Sequence, residues 1–270
     1  MVNKSVILFF NKMKYLFYLL VATAIILPVN VASAEDSKVK KDFEFLIEPY
    51  LMFANIKGDS SINFVNDADV DISSSDIFDH LKLGGMIRME GIYKNNWGLA
   101  FDFSFMDLEK DIPGAINGIY YTSGAKQTII ELFCFNRITI DQGVLDIFVG
   151  ARRWKNKLTL SRSQGALLPL ISLQRDENWV DAIIGLRGIF DIAQDWQLMI
   201  RGDIGGFGLE SDFTAKTAVN VMYNITDSIT LDIQYMALWV DYETGTRNTA
   251  NYFAYDTVTH GPAIGVIFKF

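Results

Sequence analysis

The sequence predicts an all-β fold: a transmembrane antiparallel up-and-down β-barrel of about ten strands, with eight or twelve as alternatives. Three observations predict it. Half of the 270 residues are hydrophobic and the mean hydropathy is +0.18, yet charged residues are scattered along nearly the whole chain. Beyond residue 34 the longest stretch without Asp, Glu, Lys or Arg is Ile112–Ala125, 14 residues that include Pro113 and three glycines. A helix needs about 20 apolar residues to span a bilayer, so no spanning helix fits there. Apolar residues recur instead with period two, the spacing of a strand with one apolar face.

Composition removes other classes. A net charge of −8 argues against nucleic acid, whose phosphates call for clustered Lys and Arg. A single cysteine cannot form a disulfide within the chain, and the apolar and aromatic content is too high for intrinsic disorder.

Residues 1–34 read as a cleaved secretory signal peptide. Lys4, Lys12 and Lys14 precede an uncharged run, Tyr15–Ala34, that ends in the small residues Ala32-Ser33-Ala34. A permanent anchor is the alternative, opposed by Pro28 and the Ala-Ser-Ala tail. Met13 could also start a complete signal by itself. Cleavage removes three lysines and no acids, leaving 21 basic against 32 acidic residues, a net charge of −11. Residues 35–42 then form a short polar tail, and 43–270 the barrel.

Ten alternating segments follow, near 43–57, 80–93, 97–109, 127–140, 144–160, 178–192, 196–209, 214–225, 229–243 and 254–270. Each exceeds the roughly 9–11 residues that a tilted strand needs to cross a membrane. Short turns at Asn95-Asn96, Asp141-Gln142-Gly143, Ala193-Gln194-Asp195 and Thr226-Asp227-Ser228 alternate with longer loops near 58–79, 110–126, 161–177 and 244–253. A short connection at Glu210–Phe213 is the exception. Short turns at one end and long loops at the other match a bacterial outer-membrane barrel, and an even strand count places both termini in the periplasm.

A secreted β-sandwich would alternate too. Here one face holds Leu, Ile, Val and Phe, while the other carries charges of both signs. These are Glu48, Arg88, Glu90, Asp102, Glu131, Arg137, Asp146, Arg152, Asp181, Arg187, Arg201, Asp203, Lys216 and Asp232. A lumen can hold such a set as an ion-pair network; lipid cannot. Trp97 and Trp196 open strands after short turns, and Trp154, Trp179 and Trp239 lie at the opposite ends, as two interfacial girdles would place them.

Several ordered segments resemble a family of Gram-negative outer-membrane β-barrel proteins. They are Pro49-Tyr50-Leu51 through Ile56-Lys57-Gly58, Ser75-Asp76-Ile77, Met106-Asp107-Leu108, Val149-Gly150-Ala151-Arg152, Trp179-Val180-Asp181, Gly185-Leu186-Arg187, Arg201-Gly202-Asp203-Ile204-Gly205-Gly206-Phe207-Gly208, Asp241-Tyr242 and Gly261-Pro262. Phe270 resembles the C-terminal aromatic read by barrel-assembly machinery. The resemblance implies a fold and a location, and it carries over no catalytic residue.

Candidate chemistry is sparse, and no cofactor is expected. The glycines at 202–208 lack the following helix that a phosphate-binding loop requires, so they read as allowing curvature within a strand. Asp67, Asp69 and Asp71 are a weak metal candidate, since Ile72 and Phe78 stand where a calcium loop needs glycine and a bidentate acid. Residues 76–81 can form one amphipathic turn over the lumen, with Ile77, Phe78 and Leu81 inward. His80 with Asp76 or Asp79, or His260 with Thr259 or Ser211, are the conceivable acid–base pairs of a lipase or protease. Cys134 shares the apolar side with Ile130 and Leu132 and reads as a buried, inert thiol. The loop Ser163–Gln174 is unusually apolar and reads first as a continuation of two strands.

A barrel of this size is filled by its own side chains. The expected function is therefore a non-enzymatic, structural or surface-interacting outer-membrane barrel with a plugged, charged lumen. A narrow channel or uptake protein for small or hydrophobic solutes is the alternative, followed by a lipase or protease. The expected partners are outer-membrane lipid, lipopolysaccharide and the barrel-assembly machinery; any solute is unknown.

Overall fold

A computed structural model describes residues 42–113, 120–162 and 172–270. The expected signal peptide and nearly all of the polar tail lie outside them, as do residues 163–171 of the apolar loop.

Among the described residues, twelve strands and one helix follow in order: β1 (Phe43–Met52), β2 (Asn55–Ile62), β3 (Val65–Ile72), α1 (Ser74–His80), β4 (Leu81–Tyr93), β5 (Trp97–Pro113), β6 (Tyr120–Ile140), β7 (Gly143–Arg162), β8 (Ser172–Ala193), β9 (Trp196–Gly205), β10 (Phe213–Thr226), β11 (Ile229–Thr244) and β12 (Phe253–Lys269). Ten of them, β1 and β4–β12, form a closed antiparallel ring. Closure is made by β1 on β12, from Leu46↔Lys269 to Met52↔Ala263. Ten is the count expected from the alternation.

Short turns gather at one end, where β1 begins and β12 finishes; there the Phe270 N–H donates to the Phe45 carbonyl at 2.9 Å. The β4–β5 turn has Lys94 at φ 51° and Asn95 at φ 52°, with the Asn96 N–H on the Tyr93 carbonyl at 3.1 Å. Two successive positive φ values give the turn twist that suits a hairpin.

The long-loop end corrects the loop boundaries. β2 continues upward from β1 along the same edge of β12, and β3 folds back on β2, so most of 58–79 is a hairpin followed by a helix. β3 alternates Asp67, Asp69 and Asp71 with Ala68, Val70 and Ile72. That is the same period-two signal as in the ring. β5 and β6 likewise extend to Pro113 and from Tyr120, and β7 and β8 to Arg162 and from Ser172, shortening the expected loops at 110–126 and 161–177.

Inside the ring, bulky rings are seated over glycines. A Cβ on Gly98 would lie 2.1 Å from the Phe135 ring, and one on Gly185 2.4 Å from Phe148. Phe133, Phe135 and Phe148 pack there with Ile92, Ala100 and Ile183 near the short-turn end.

α1 starts from Ser73, whose hydroxyl accepts from the Asp76 N–H at 3.2 Å while Asp76 Oδ2 accepts from the Ser73 N–H, also at 3.2 Å. This is a reciprocal cap. Ile77 is buried against Leu108, Ile56 and Met52, as expected, and Leu81 packs at the edge of that cluster. Phe78 departs from the expectation and meets Phe53, ring centroids 5.2 Å apart.

Two outcomes follow. Gly150→Ala would drive a methyl to 2.2 Å from the Leu132 carbonyl and 2.5 Å from Phe133 Cβ, so we expect about 1–3 kcal/mol of destabilisation, seen as a lower unfolding midpoint of the refolded barrel. The hydrogen bonds from the Ser73 hydroxyl and backbone hold the Asp76 carboxyl below its ordinary range. A lowered carboxyl stabilises the cap above its unfolded value, and the gain is lost as pH falls through the folded value. Hydrogen-exchange protection factors over 74–80 should drop in that acidic window and, at neutral pH, in Ser73→Ala.

Candidate functional site: the charged lumen

Side chains alternate strictly around the ring. In β7, Asp146, Phe148, Gly150, Arg152 and Trp154 point inward, while Ile147 and Val149 are exposed outside. In β8, Trp179, Asp181, Ile183, Gly185 and Arg187 point inward, while Val180, Ile184 and Leu186 lie outside. All fourteen charged residues on the expected inner face are buried: eight acids and six bases. Burying so many charges is tolerable only if they meet each other with good geometry.

They meet at two levels. Near the short-turn end, Arg137 grips Asp146 through two bonds of 2.7 and 2.9 Å. Arg187 on β8 also reaches Asp146, at 2.8 Å, and crosses the lumen to Glu90 on β4, at 3.0 Å through Nη2. Its guanidinium lies 4.9 Å from the centre of the Phe135 ring, which adds a cation–π contact.

Higher up, Glu131 on β6 is the hub. It accepts from Arg152 at 2.9 Å, from Arg201 at 2.9 Å and from Lys216 at 3.1 Å. Arg152 also donates to Asp203 at 2.7 Å and to the Thr214 hydroxyl at 3.0 Å. Arg201 holds the other oxygen of Asp203 at 2.7 Å. Lys216 on β10 comes within 3.7 Å of Asp102 on β5, far around the ring. Asp102 takes the Tyr50 hydroxyl at 2.7 Å and Arg88 at 3.3 Å, and Arg88 reaches Glu48 at 2.8 Å.

Asp181 has a neutral partner instead, and Asp232 meets Asn220 and the carboxyl of Glu48. Asp181 accepts from the hydroxyl and the N–H of Ser211 at 2.6 and 3.2 Å, tying the turn after β9 into the interior. Gly206, at φ +84°, permits this: a Cβ there would sit 2.5 Å from Ser211 Oγ. Another turn and a strand follow that glycine run, so no helix N-terminus faces it. Asp232 accepts from Asn220 at 2.7 Å.

The charges leave a cavity on either side. Along β1, Glu44, Leu46 and Glu48 line one of about 220 Å³ toward the short-turn end, roofed by Arg88, Glu90 and Arg187. Tyr50 to Ile56 line one of about 60 Å³ on the far side, floored by Asp102, Glu131 and Lys216 and walled by Met86, Met106 and Met236.

The tryptophans divide. Trp97, Trp196 and Trp239 are exposed on the outer face, but Trp154 and Trp179 are buried in the lumen, which corrects their assignment to a girdle. They stack on each other with centroids 5.6 Å apart, and Trp179 stacks on Tyr242 at 4.0 Å. Their parity with Arg152 and Asp181 was the readable signal. The same parity would have found Tyr50, Thr214, Asn220 and Gln234.

Other candidates disperse. Asp67 pairs with Arg247 and Asp71 with Lys57 at 3.9 Å, and Asp69 stands opposite Asp59. Among the described residues no group of three or more His, Cys, Asp or Glu could hold a metal. The period-two spacing that makes β3 a strand spreads its three aspartates along the outside, so they do not converge. His80 Nδ1 meets the Asp76 backbone carbonyl at 2.7 Å, and His260 Nδ1 meets the Tyr235 hydroxyl at 2.9 Å. Neither contact is with Asp79, Thr259 or Ser211. Cys134 is exposed on the outer face rather than buried in protein, and Phe270 caps the edge beside Phe45, centroids 6.3 Å apart.

A closed antiparallel ring with an apolar outside and a charged inside is the architecture of an outer-membrane β-barrel. One solved structure agrees at the level of fold, and two more are similar in part. The outer membrane protease OmpT from Escherichia coli aligns over 87% of this chain and 99% of its own, with a TM-score of 0.51 and 10% identity. The translocator domain of autotransporter NalP from Neisseria meningitidis aligns over 96% of both chains, with a TM-score of 0.47 and 10% identity. The attachment invasion locus protein Ail of Yersinia pestis aligns over 85% of this chain and 99% of its own, with a TM-score of 0.37 and 12% identity. No family model and no curated protein matches the chain.

Glu131→Gln leaves three buried cations short of their shared counter-charge, so we expect a loss of about 3–5 kcal/mol in denaturant unfolding of the refolded barrel. Lipid-borne quenchers should dim fluorescence from Trp97, Trp196 and Trp239 but not from Trp154 and Trp179. Single-tryptophan variants read this directly, and strong quenching of Trp179 would contradict its lumenal position.

Proposed function

We propose that this chain is a non-enzymatic barrel of the Gram-negative outer membrane, structural or surface-interacting, whose own side chains close its lumen. The observation that carries the reading is the bonded layer itself. Arg187 to Glu90, Lys216 to Asp102 and Arg201 to Glu131 are chords between distant strands. A hydrated ion cannot cross such a layer without breaking charge-assisted bonds. The exposed apolar outer rows, with Trp97 and Trp196 at one end and Trp239 at the other, support residence in a bilayer. Both ends of the ring lie on the short-turn side, and the reading places that side in the periplasm, with Phe270 available to the assembly machinery. The non-enzymatic part is supported by the two histidines, whose Nδ1 atoms meet the Asp76 backbone carbonyl and the Tyr235 hydroxyl and not a carboxylate or a serine.

Planar-bilayer recording tests the reading. The refolded wild-type chain should insert with little or no steady conductance, and large stable open currents would sink it. Replacing Arg152, Arg201 and Lys216 together by Ala should raise conductance where the triple variant still folds.

A further inference from the structure

The outer surface is charged on one flank at the height where the apolar rows end. Three adjacent strands define it in register: β6, β7 and β8. The outward row at Arg153 contains Phe103, Ile130 and Val180, so this guanidinium stands level with lipid-facing side chains. The next row, toward the long loops, contains Phe105, Thr128, Lys155 and Asn178. The row beyond sets Lys126 directly opposite Lys157, flanked by Asp107 and Asp176.

Lys126 is taken by Asp107 at 2.6 Å. Arg153 and Lys155 are both exposed and, among the described residues, neither has a carboxylate within ion-pairing distance. Arg153 donates to Asn178 Oδ1 at 2.8 Å, one row nearer the long-loop end. That bond draws the guanidinium out of the apolar row toward the long-loop end. An arginine there, with a free lysine beside it and a like-charged pair above, is stable where anions lie in the membrane plane. The opposite flank has the reverse sign: Asp241, Asp256, Asp59 and Asp69 form one row across β11, β12, β2 and β3.

We propose that Arg153 and Lys155, assisted by Lys157, bind the phosphate groups of lipid headgroups in the leaflet at the long-loop end. Under the outer-membrane reading, on which this rests, those are the phosphates of lipopolysaccharide. The site orients the barrel's β6–β8 flank toward phosphorylated lipid and turns its acidic flank away.

The test titrates the refolded full chain in neutral detergent with bis-phosphorylated lipid A, dephosphorylated lipid A and inorganic phosphate. Lipid A binding should weaken about tenfold or more in Arg153→Gln/Lys155→Gln, while Arg247→Gln, at the far end of the loops, should bind as the wild type does. In the wild type, dephosphorylated lipid A should bind as weakly as the double variant binds the phosphorylated form; this arm stands even where the variant does not fold. Binding indifferent to phosphorylation or to the two substitutions overturns the inference. Equal competition by inorganic phosphate overturns it in favour of a free-anion site. A chain that fails to insert into vesicles, with unheated and heated samples migrating alike on gels, overturns the outer-membrane reading and the inference with it.

Discussion

Glu131 receives Arg152, Arg201 and Lys216 in a space from which water is largely excluded. The rest of the interior is arranged around that convergence. Three cations on one carboxylate would repel each other strongly; Asp203 and Asp102 offset this from the sides. Each participant comes from a different strand, or from a different height on the same one. The network therefore acts as a cross-brace, converting a hollow ring into a filled cylinder with two shallow recesses. Phe133, Phe135 and Phe148 pack against the guanidinium groups of Arg187 and Arg201, and the low polarity of those rings strengthens the bonds they cover.

Close packing below the braces depends on residues that contribute volume by lacking it. Gly98, Gly150 and Gly185 sit on the inner face where Phe133, Phe135 and Phe148 need room, and the guanidinium of Arg201 lies over two of those rings, 4.8 Å from Phe133 and 5.0 Å from Phe148. Ring, glycine and ion pair are thus one packing problem. Solving it fixes the position of the arginines before any charge is considered.

Much of this was legible along the chain, because a strand's two faces are written into alternate residues. All ten ring strands and all fourteen inward charges follow from parity. So does β3, whose three aspartates, a weak metal candidate by residue type, alternate with Ala68, Val70 and Ile72. Trp154 and Trp179 leave the girdle because parity, and not height along the strand, decides which face a side chain occupies. What parity cannot show is which inward residues touch. Arg187 and Glu90 are 97 residues apart and meet only because β8 and β4 face each other across a closed ring. Strand extensions above the membrane were also obscured, since they carry polar residues on both faces and lose the apolar marker that flags a strand.

The alternation has one more consequence. Sliding a strand by a single residue against its neighbours would exchange its faces, sending Arg152, Glu131 or Asp146 into lipid and Val149 or Leu132 into the braces. Such a slip is costly because nearly every inward charge has its partners on other strands. The charged interior is thereby a checking device for assembly, penalising each misaligned strand in proportion to the charges it carries. The most heavily charged strands are the most stringently proofread.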